Sequence, residues 1–286
     1  MSARRRSAKE RSLFEPAETM DRLAGEWFET ACSRRSRRAF DGVEVEEAVL
    51  GELEGVCLGF RPHADARVEL WRHPESDLFR GIVGSYGKVS GARHVLAFIA
   101  GPGTRAEVHA GYTGEAVVLE ATRLGLGTCW VGGFFDHSAA NAFNELAEGE
   151  RVVALSPVGY PSERYTLSEQ LMRLGAGSHR RKPVEEIAPS LSEEWPCWAR
   201  AAVECARLAP SARNRQPWRF RLKRHRELTV SRDTAFEVPL VTKALDCGIA
   251  MLHAEVGARA AGVKGAWSDL EDEGLDLAIF TPDAGA

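Results

Sequence analysis

The chain has 286 residues, 44% of them hydrophobic and 27% charged, with a formal net charge of −4. That length holds two modest domains or one large one around a real core, and the weak acidity argues against nucleic acid as the main partner. No run of about eighteen apolar residues occurs, so no membrane span is expected. Six scattered cysteines, without Cys-x-x-Cys or metal-ligand spacing among Cys and His, point to a reduced, cytoplasmic protein with no metal.

Residues 1–16 form a basic arm that lacks the apolar run of a signal peptide. A helix is predicted over 17–33, where Met20, Leu23, Ala24, Trp27 and Phe28 recur at spacings of three and four. The following Arg34-Arg35-Ser36-Arg37-Arg38-Ala39-Phe40-Asp41 reads on composition as a solvated surface, yet guanidiniums and a hydroxyl on alternate positions can converge on one phosphate. A second helix is predicted over 44–58, leading through a loop into a strand near Trp71. Val95 to Ala100 is apolar throughout, as in a sheet covered on both faces, and Lys88 precedes it. A long helix from Gly111 to Leu124 runs into Gly125-Leu-Gly-Thr-Cys-Trp130-Val-Gly132-Gly133, where so many glycines imply positive φ or close backbone approach. Residues 151–161 read as another buried strand ending in Gly-Tyr-Pro, and a basic Arg180-Arg181-Lys182-Pro183 segment follows. Past a polar connector at 188–194, a helix over 195–208 stops before Pro210. Then come Ser211, Ala212 and Asn214 in a polar loop closed by Pro217, and a strand-like alternation from Trp218.

Three of these strings resemble the FMN-dependent nitroreductase family. Ala209-Pro210-Ser211-x-x-Asn214-x-Gln216-Pro217-Trp218 is similar to the loop that, in that family, crosses a homodimer to lie against the flavin. Gly125-Leu-Gly-Thr-x-Trp130-x-Gly132-Gly133 is similar to the segment whose backbone N–H faces flavin N5, the atom that exchanges hydride. Arg34-x-Ser36-x-Arg38-x-Phe40 resembles the family's phosphate arm. The resemblance implies FMN held by Arg34, Ser36, Arg38, Lys88, Trp130, Gly132, Gly133, Arg180, Arg181, Pro210, Ser211, Ala212 and Asn214, with Arg35 and Arg37 pointing elsewhere. Arg181 is favoured over Arg180. No side-chain acid–base pair is assigned, because the flavin carries the hydride chemistry.

The crossing loop normally lies about thirty residues after the arm, roughly one helix and its connections. Here it stands in the last third of the chain, and the corresponding place in the first part, near residues 58–71, has lost the signature. An internal repeat accounts for this. Gly248, Ala258, Gly262 and Trp267 fall 137 positions after Gly111, Ala121, Gly125 and Trp130 without a gap, and 276–281 would repeat the strand at 151–156. The expected fold is α+β and nitroreductase-like. It has a first lobe over 17–187, a connector at 188–194 and a shortened second lobe over 195–286, each with a helix-covered antiparallel or mixed sheet.

Complementary losses would leave one composite FMN site between the lobes, in a monomer that imitates a dimer. The implied activity is ping-pong hydride transfer from NAD(P)H to an electron-poor small molecule such as a nitroarene or quinone. Two alternatives stay open: a flavin-binding sensor or a scaffold that has lost FMN, and a dehalogenase-like or azoline-dehydrogenase-like flavoenzyme.

Overall fold

The computed structural model describes residues 15–74, 78–79, 89–143, 146–163, 165, 180–223, 226–237, 241–270 and 274–284. Lys88, His179 and all but the end of the N-terminal arm lie outside them.

α1 (Pro16–Ser33) starts on a proline, whose fixed φ suits a first helical position, and buries Met20, Leu23, Ala24 and Trp27 along the predicted stripe. α2 spans Glu47–Gly59, three residues later than the sequence pattern places its start, so Glu44 stays in the preceding connection. β1 (Ala66–Arg72), β2 (His94–Ala100), β3 (Gly127–Thr128) and β4 (Arg151–Gly159) form one antiparallel sheet in the order β1-β2-β4-β3. β2 is buried along its whole length. Its Leu96 and Phe98 face the main core, while Val95, Ala97 and Ile99 face a second cluster with Phe135 and Ala140. Ala140 belongs to the short α4 (His137–Ala142), which Asp136 caps by accepting from the Ala139 N–H at 2.8 Å.

α3 (Thr104–Arg123) begins seven residues before the predicted Gly111, because Ala106, Val108 and His109 already point into the core. After α5 (Val184–Ile187) and α6 (Cys197–Ala206), the second sheet is built from β5 (Trp218–Leu222), β6 (Leu228–Arg232), β7 (Gly265–Asp269) and β8 (Asp276–Pro282), with α7 (Lys243–Ala260) between β6 and β7. Its order, β5-β6-β8-β7, is that of the first sheet, and all its pairings are antiparallel.

The duplication extends to detail. Each sheet carries a register shift between its second and fourth strands, at Phe98/Ile99 and at Val230/Ser231. Helices α3 and α7 end alike. Gly125 and Gly262 take φ of 79° and 83°, and the N–H groups of Leu126 and Val263 return to the carbonyls of Ala121 and Ala258 at 2.8 and 3.0 Å. Both are Schellman closures, which need the left-handed residue that glycine supplies.

The two copies meet where α3 crosses α7. A Cβ on Gly111 would collide with the carbonyl oxygen of Leu245 and lie 3.0 Å from the N of Ile249. One on Gly248 would collide with the carbonyl oxygen of Val108 and lie 3.0 Å from the N of Tyr112. Leu245 and Ile249 stand 137 positions after Val108 and Tyr112. The crossing therefore has the self-complementary form of a two-fold interface, written into one chain. Its core is continuous, joining Leu96, Phe98 and Val117 to Phe220, Val230, Met251 and Phe280.

Candidate functional site

The helix-to-sheet connection at 207–217 is held in an unusual backbone shape. Arg213, Asn214 and Gln216 all have positive φ (51°, 55° and 47°), a region that non-glycine residues occupy at a cost of order 1–3 kcal/mol each. Hydrogen bonds over-determine it. The fully buried Asp246 in the first turn of α7 accepts from the Ala212 N–H at 3.1 Å and from Arg215 Nε at 2.9 Å. Ser211 Oγ accepts from the Gln216 N–H at 2.9 Å, and Gln216 Oε1 accepts from the Lys182 N–H at 2.9 Å. Burial pushes the Asp246 carboxyl up to about 6, against the pull of Arg215 and the Ala212 N–H.

This loop is joined to the basic tail of the first lobe. Arg181 donates to Asn214 Oδ1 at 2.9 Å and to the Leu208 carbonyl at 3.0 Å, while Asn214 Nδ2 donates to the Arg180 carbonyl at 2.8 Å. Asn214 thus orients Arg181. The Arg181 guanidinium is pushed down to about 10, first by burial and then by the neighbouring charges of Arg34, Arg35 and Arg207. All of these influences disfavour a cation, so the cluster calls for an anion.

Arg34 sharpens that demand. It lies just past the end of α1, is 6% exposed, and has no hydrogen-bond partner for Nε or Nη1. Its nearest described carboxylate oxygen, Glu115 Oε1 on α3, stands 3.9 Å away, too far for a hydrogen bond. Glu115 is itself fixed from both lobes: Trp130 Nε1 donates to its Oε2 at 2.7 Å, and His253 Nε2 on α7 lies 2.9 Å from its Oε1.

Of the residues singled out in the sequence, Arg34, Arg181, Ser211 and Asn214 are brought together at this junction, with Arg180 contributing its carbonyl. Pro210 is buried beside Ser211, and Ala212 binds Asp246 through its backbone. Gly132 lies at the same lobe junction. A Cβ there would stand 3.0 and 3.2 Å from the methyls of Val241, whose carbonyl accepts from Arg215 Nη2 at 2.9 Å. Gly133 follows as a buried residue. Trp130 stacks on Phe98 with ring centroids 3.9 Å apart, so its visible work is to hold Glu115. Ser36 forms a parallel bridge to Thr128, setting the arm along β3, and the Arg38 carbonyl accepts from the Ser90 N–H at 2.9 Å. Arg35 turns back to the Cys32 and Arg34 carbonyls, while Arg37 lies 4.5 Å over the Tyr165 ring.

Glu115, His253, Arg207, Arg215, Gln216 and Asp246 are site residues to which the sequence motifs assign no role. Gln216 stands inside the quoted signature, and Asp246 is a lone acid in an apolar helix start; both were visible signals. Glu115 and His253 carry no local signal, since each lies within a helix whose burial only the lobe pairing creates.

Residues 26–258 match the family described as "Putative TM nitroreductase". A solved structure entitled a putative nitroreductase, from Thermotoga maritima, is 23% identical over 89% of this chain and 92% of its own, with a TM-score of 0.59. Looser likenesses include a nitroreductase family protein from Clostridium difficile (19% identity, 58% of this chain, 97% of that one, TM-score 0.42). A nitroreductase with bound FMN from Bacteroides fragilis is similar at 18% identity, over 50% of this chain and 91% of that one, with a TM-score of 0.37. None of the curated proteins matches. With two like-ordered antiparallel sheets and a family match over most of its length, the chain belongs to the TM nitroreductase family.

Proposed function

We propose that this chain is an FMN-dependent oxidoreductase with a single flavin site at the lobe junction. It would pass reducing equivalents from NAD(P)H to an electron-poor small molecule such as a nitroarene or a quinone. The observation that carries the proposal is Arg34, a buried guanidinium with two partnerless nitrogens beside a second desolvated arginine, Arg181. A buried guanidinium with unmade hydrogen bonds is costly unless something completes them, and a phosphate monoester fits a pair of guanidiniums.

In this reading Arg34 and Arg181 bind the phosphate, and Asn214 and Gln216 keep the tail and the crossing loop in register. Glu115 limits how far Arg34 swings. The Gly132–Gly133 backbone offers N–H groups to the ring, and the absence of Cβ atoms allows close approach. FMN, when bound, supplies the two-electron hydride chemistry. With both lobes in one polypeptide the protein functions as a monomer.

Absorption spectra of the purified chain during titration with FMN test this directly. One FMN per chain is expected, with Arg34→Ala lowering affinity tenfold or more, the order expected for a lost charge-assisted contact. Steady-state oxidation of NADH with a model nitroarene then separates an enzyme from a flavin-binding protein. Two FMN per chain, or unchanged affinity in Arg34→Ala, would overturn the single-site reading.

A further inference from the structure

At the far end of the first sheet, three residues distant in sequence meet. Glu44 lies before α2, His73 directly follows β1, and His94 opens β2, paired with Arg72 across the strands. One donor atom from each lies within 4.8 Å of the others. Glu44 Oε1 is 3.0 Å from His73 Nε2 and 3.2 Å from His94 Nε2. The two imidazole rings stand 4.6 Å apart at 70°, edge to face.

The geometry points to a binding site for a divalent transition-metal ion of the zinc class at Glu44, His73 and His94. Zinc bonds to imidazole nitrogen and carboxylate oxygen are about 2.0–2.2 Å, which sets the edge of a tetrahedral ligand set at about 3.3 Å. The two Glu44–His separations, 3.0 and 3.2 Å, lie slightly inside that edge. A second observation stands apart from the clustering. His94 is fully buried, yet neither ring nitrogen has a hydrogen-bond partner of acceptable geometry. A buried imidazole without a well-formed hydrogen bond is costly, and a metal bond would satisfy the nitrogen aimed at Glu44.

The surrounding charges leave the right atom available. Arg93 Nη1 sits 3.5 Å from Glu44 Oε2, which leaves Oε1 to face the imidazoles. Arg72, a second cation close by among the described residues, is neutralised by Glu47 and Glu54 at 2.8 and 2.9 Å. Two imidazoles, one carboxylate and no thiolate favour zinc over calcium, magnesium or softer ions. Glu44 and His73 are about half exposed, so the fourth position opens to water. Sequence spacing hid this site, because the pairing of β1 with β2 assembles it.

The test uses the untagged full chain after chelator treatment, titrated with Zn²⁺ against a chromophoric chelator, with Co²⁺ absorption as a report of coordination. One tightly bound Zn²⁺ per chain is expected, together with the intense visible bands of four-coordinate Co²⁺. Glu44→Gln and His73→Asn should each weaken binding by about thirtyfold, as removal of one of three protein ligands would. Both side chains are exposed, so the metal-free melting temperature of these variants should match that of the parent. His94→Asn, at a buried position, is the secondary variant. Zinc binding that survives both exposed-site substitutions unchanged, or no binding by the parent chain at 100-fold excess, would overturn the proposal.

Discussion

The pseudo-two-fold relation gives this molecule two equivalent lobe junctions, and they have opposite chemistry. At one, Gly132 of the first lobe faces Val241, and Asp246 of α7 grips the loop that carries Arg215 and Asn214. At the other, the position 137 residues after Gly132 is Asp269, and the position of Asp246 is taken in α3 by His109. His109 lies between two carboxylates, with Nδ1 2.6 Å from Asp65 and Nε2 3.0 Å from Asp269, and His63 stacks on its face at 3.6 Å. Asp65 comes from the connection between α2 and β1, the counterpart of the strained loop. The first junction thus keeps a glycine and a buried arginine with two nitrogens that make no hydrogen bond, while the second is closed by ion pairs. Packing preserves symmetry at the helix crossing because a backbone clash tolerates no alternative. No such clash constrains the two junctions, and the second carries a clasp between the lobes.

The largest expected effect lies at the crossing. Gly111→Val and Gly248→Val each drive a side chain into the backbone of the opposite helix, and overpacking of this kind costs roughly 3 kcal/mol or more. Urea denaturation should show equal losses for the two variants. A twofold disparity would mean that one copy can yield where the other cannot, and the symmetric description of the interface would fail.

Next comes the contrast between Asp246 and His109. Asp246→Ala leaves Arg215 nearly buried without its carboxylate and releases the strained loop, at a cost of about 3 kcal/mol. It should also weaken FMN binding at least tenfold. His109→Ala removes the clasp instead, costing about 1–2 kcal/mol while leaving FMN affinity unchanged. If His109→Ala impaired flavin binding as much as Asp246→Ala, the two junctions would not be functionally distinct.

Much of this was legible in the sequence, and the physical reasons are specific. Gly125 and Gly262 mark helix ends through backbone conformation, a local property, so the repeat could be read from spacing alone. The strings around Gly132 and Asn214 are also local, and their residues do meet at one junction. The converse holds for Glu115, His253 and His109. Each is a polar residue inside a helix, and its meaning depends on which surface the other lobe covers. The start of α3 is not legible in the sequence because Thr104 to Ala110 reads as polar. No side chain caps its N-terminus, so no signal marked the start, and tertiary burial of Ala106 and Val108 made the turn worth forming.

The same pair of positions predicts a pH signature. Burial alone would lower the His109 pKa, but the hydrogen bonds and charges of Asp269 and Asp65 outweigh it and raise it above 6.5. A raised folded-state pKa gives stability that is fully present below the unfolded value of about 6.5 and is lost as pH rises through the folded value. Asp246 is also raised, to about 6, so its contribution falls in the same direction but lower, between about 3.8 and 6. The parent chain should therefore lose stability as pH rises above about 6.5, and His109→Gln should abolish most of that slope. A slope unchanged by His109→Gln would show that the clasp does not control it.

The smallest effect probes whether the duplication reaches beyond packing to local folding. Gly125 and Gly262 have open space where a methyl group would stand, so Gly→Ala at either position carries only the strain of a left-handed φ, about 1 kcal/mol. Both substitutions lie outside the proposed flavin and zinc sites. Each should therefore lower the urea midpoint by the same small amount, leave FMN and Zn²⁺ binding untouched, and add in the double variant, since distant sites without shared partners are additive to within about 0.5 kcal/mol. Gly125 sits between α3 and the segment leading to Trp130 and Gly132, whereas Gly262 leads only to the β7 edge. A larger loss at Gly125, accompanied by weaker flavin binding, would therefore mean that this helix end helps position the glycine pair, and that the two caps, alike in geometry, have diverged in function.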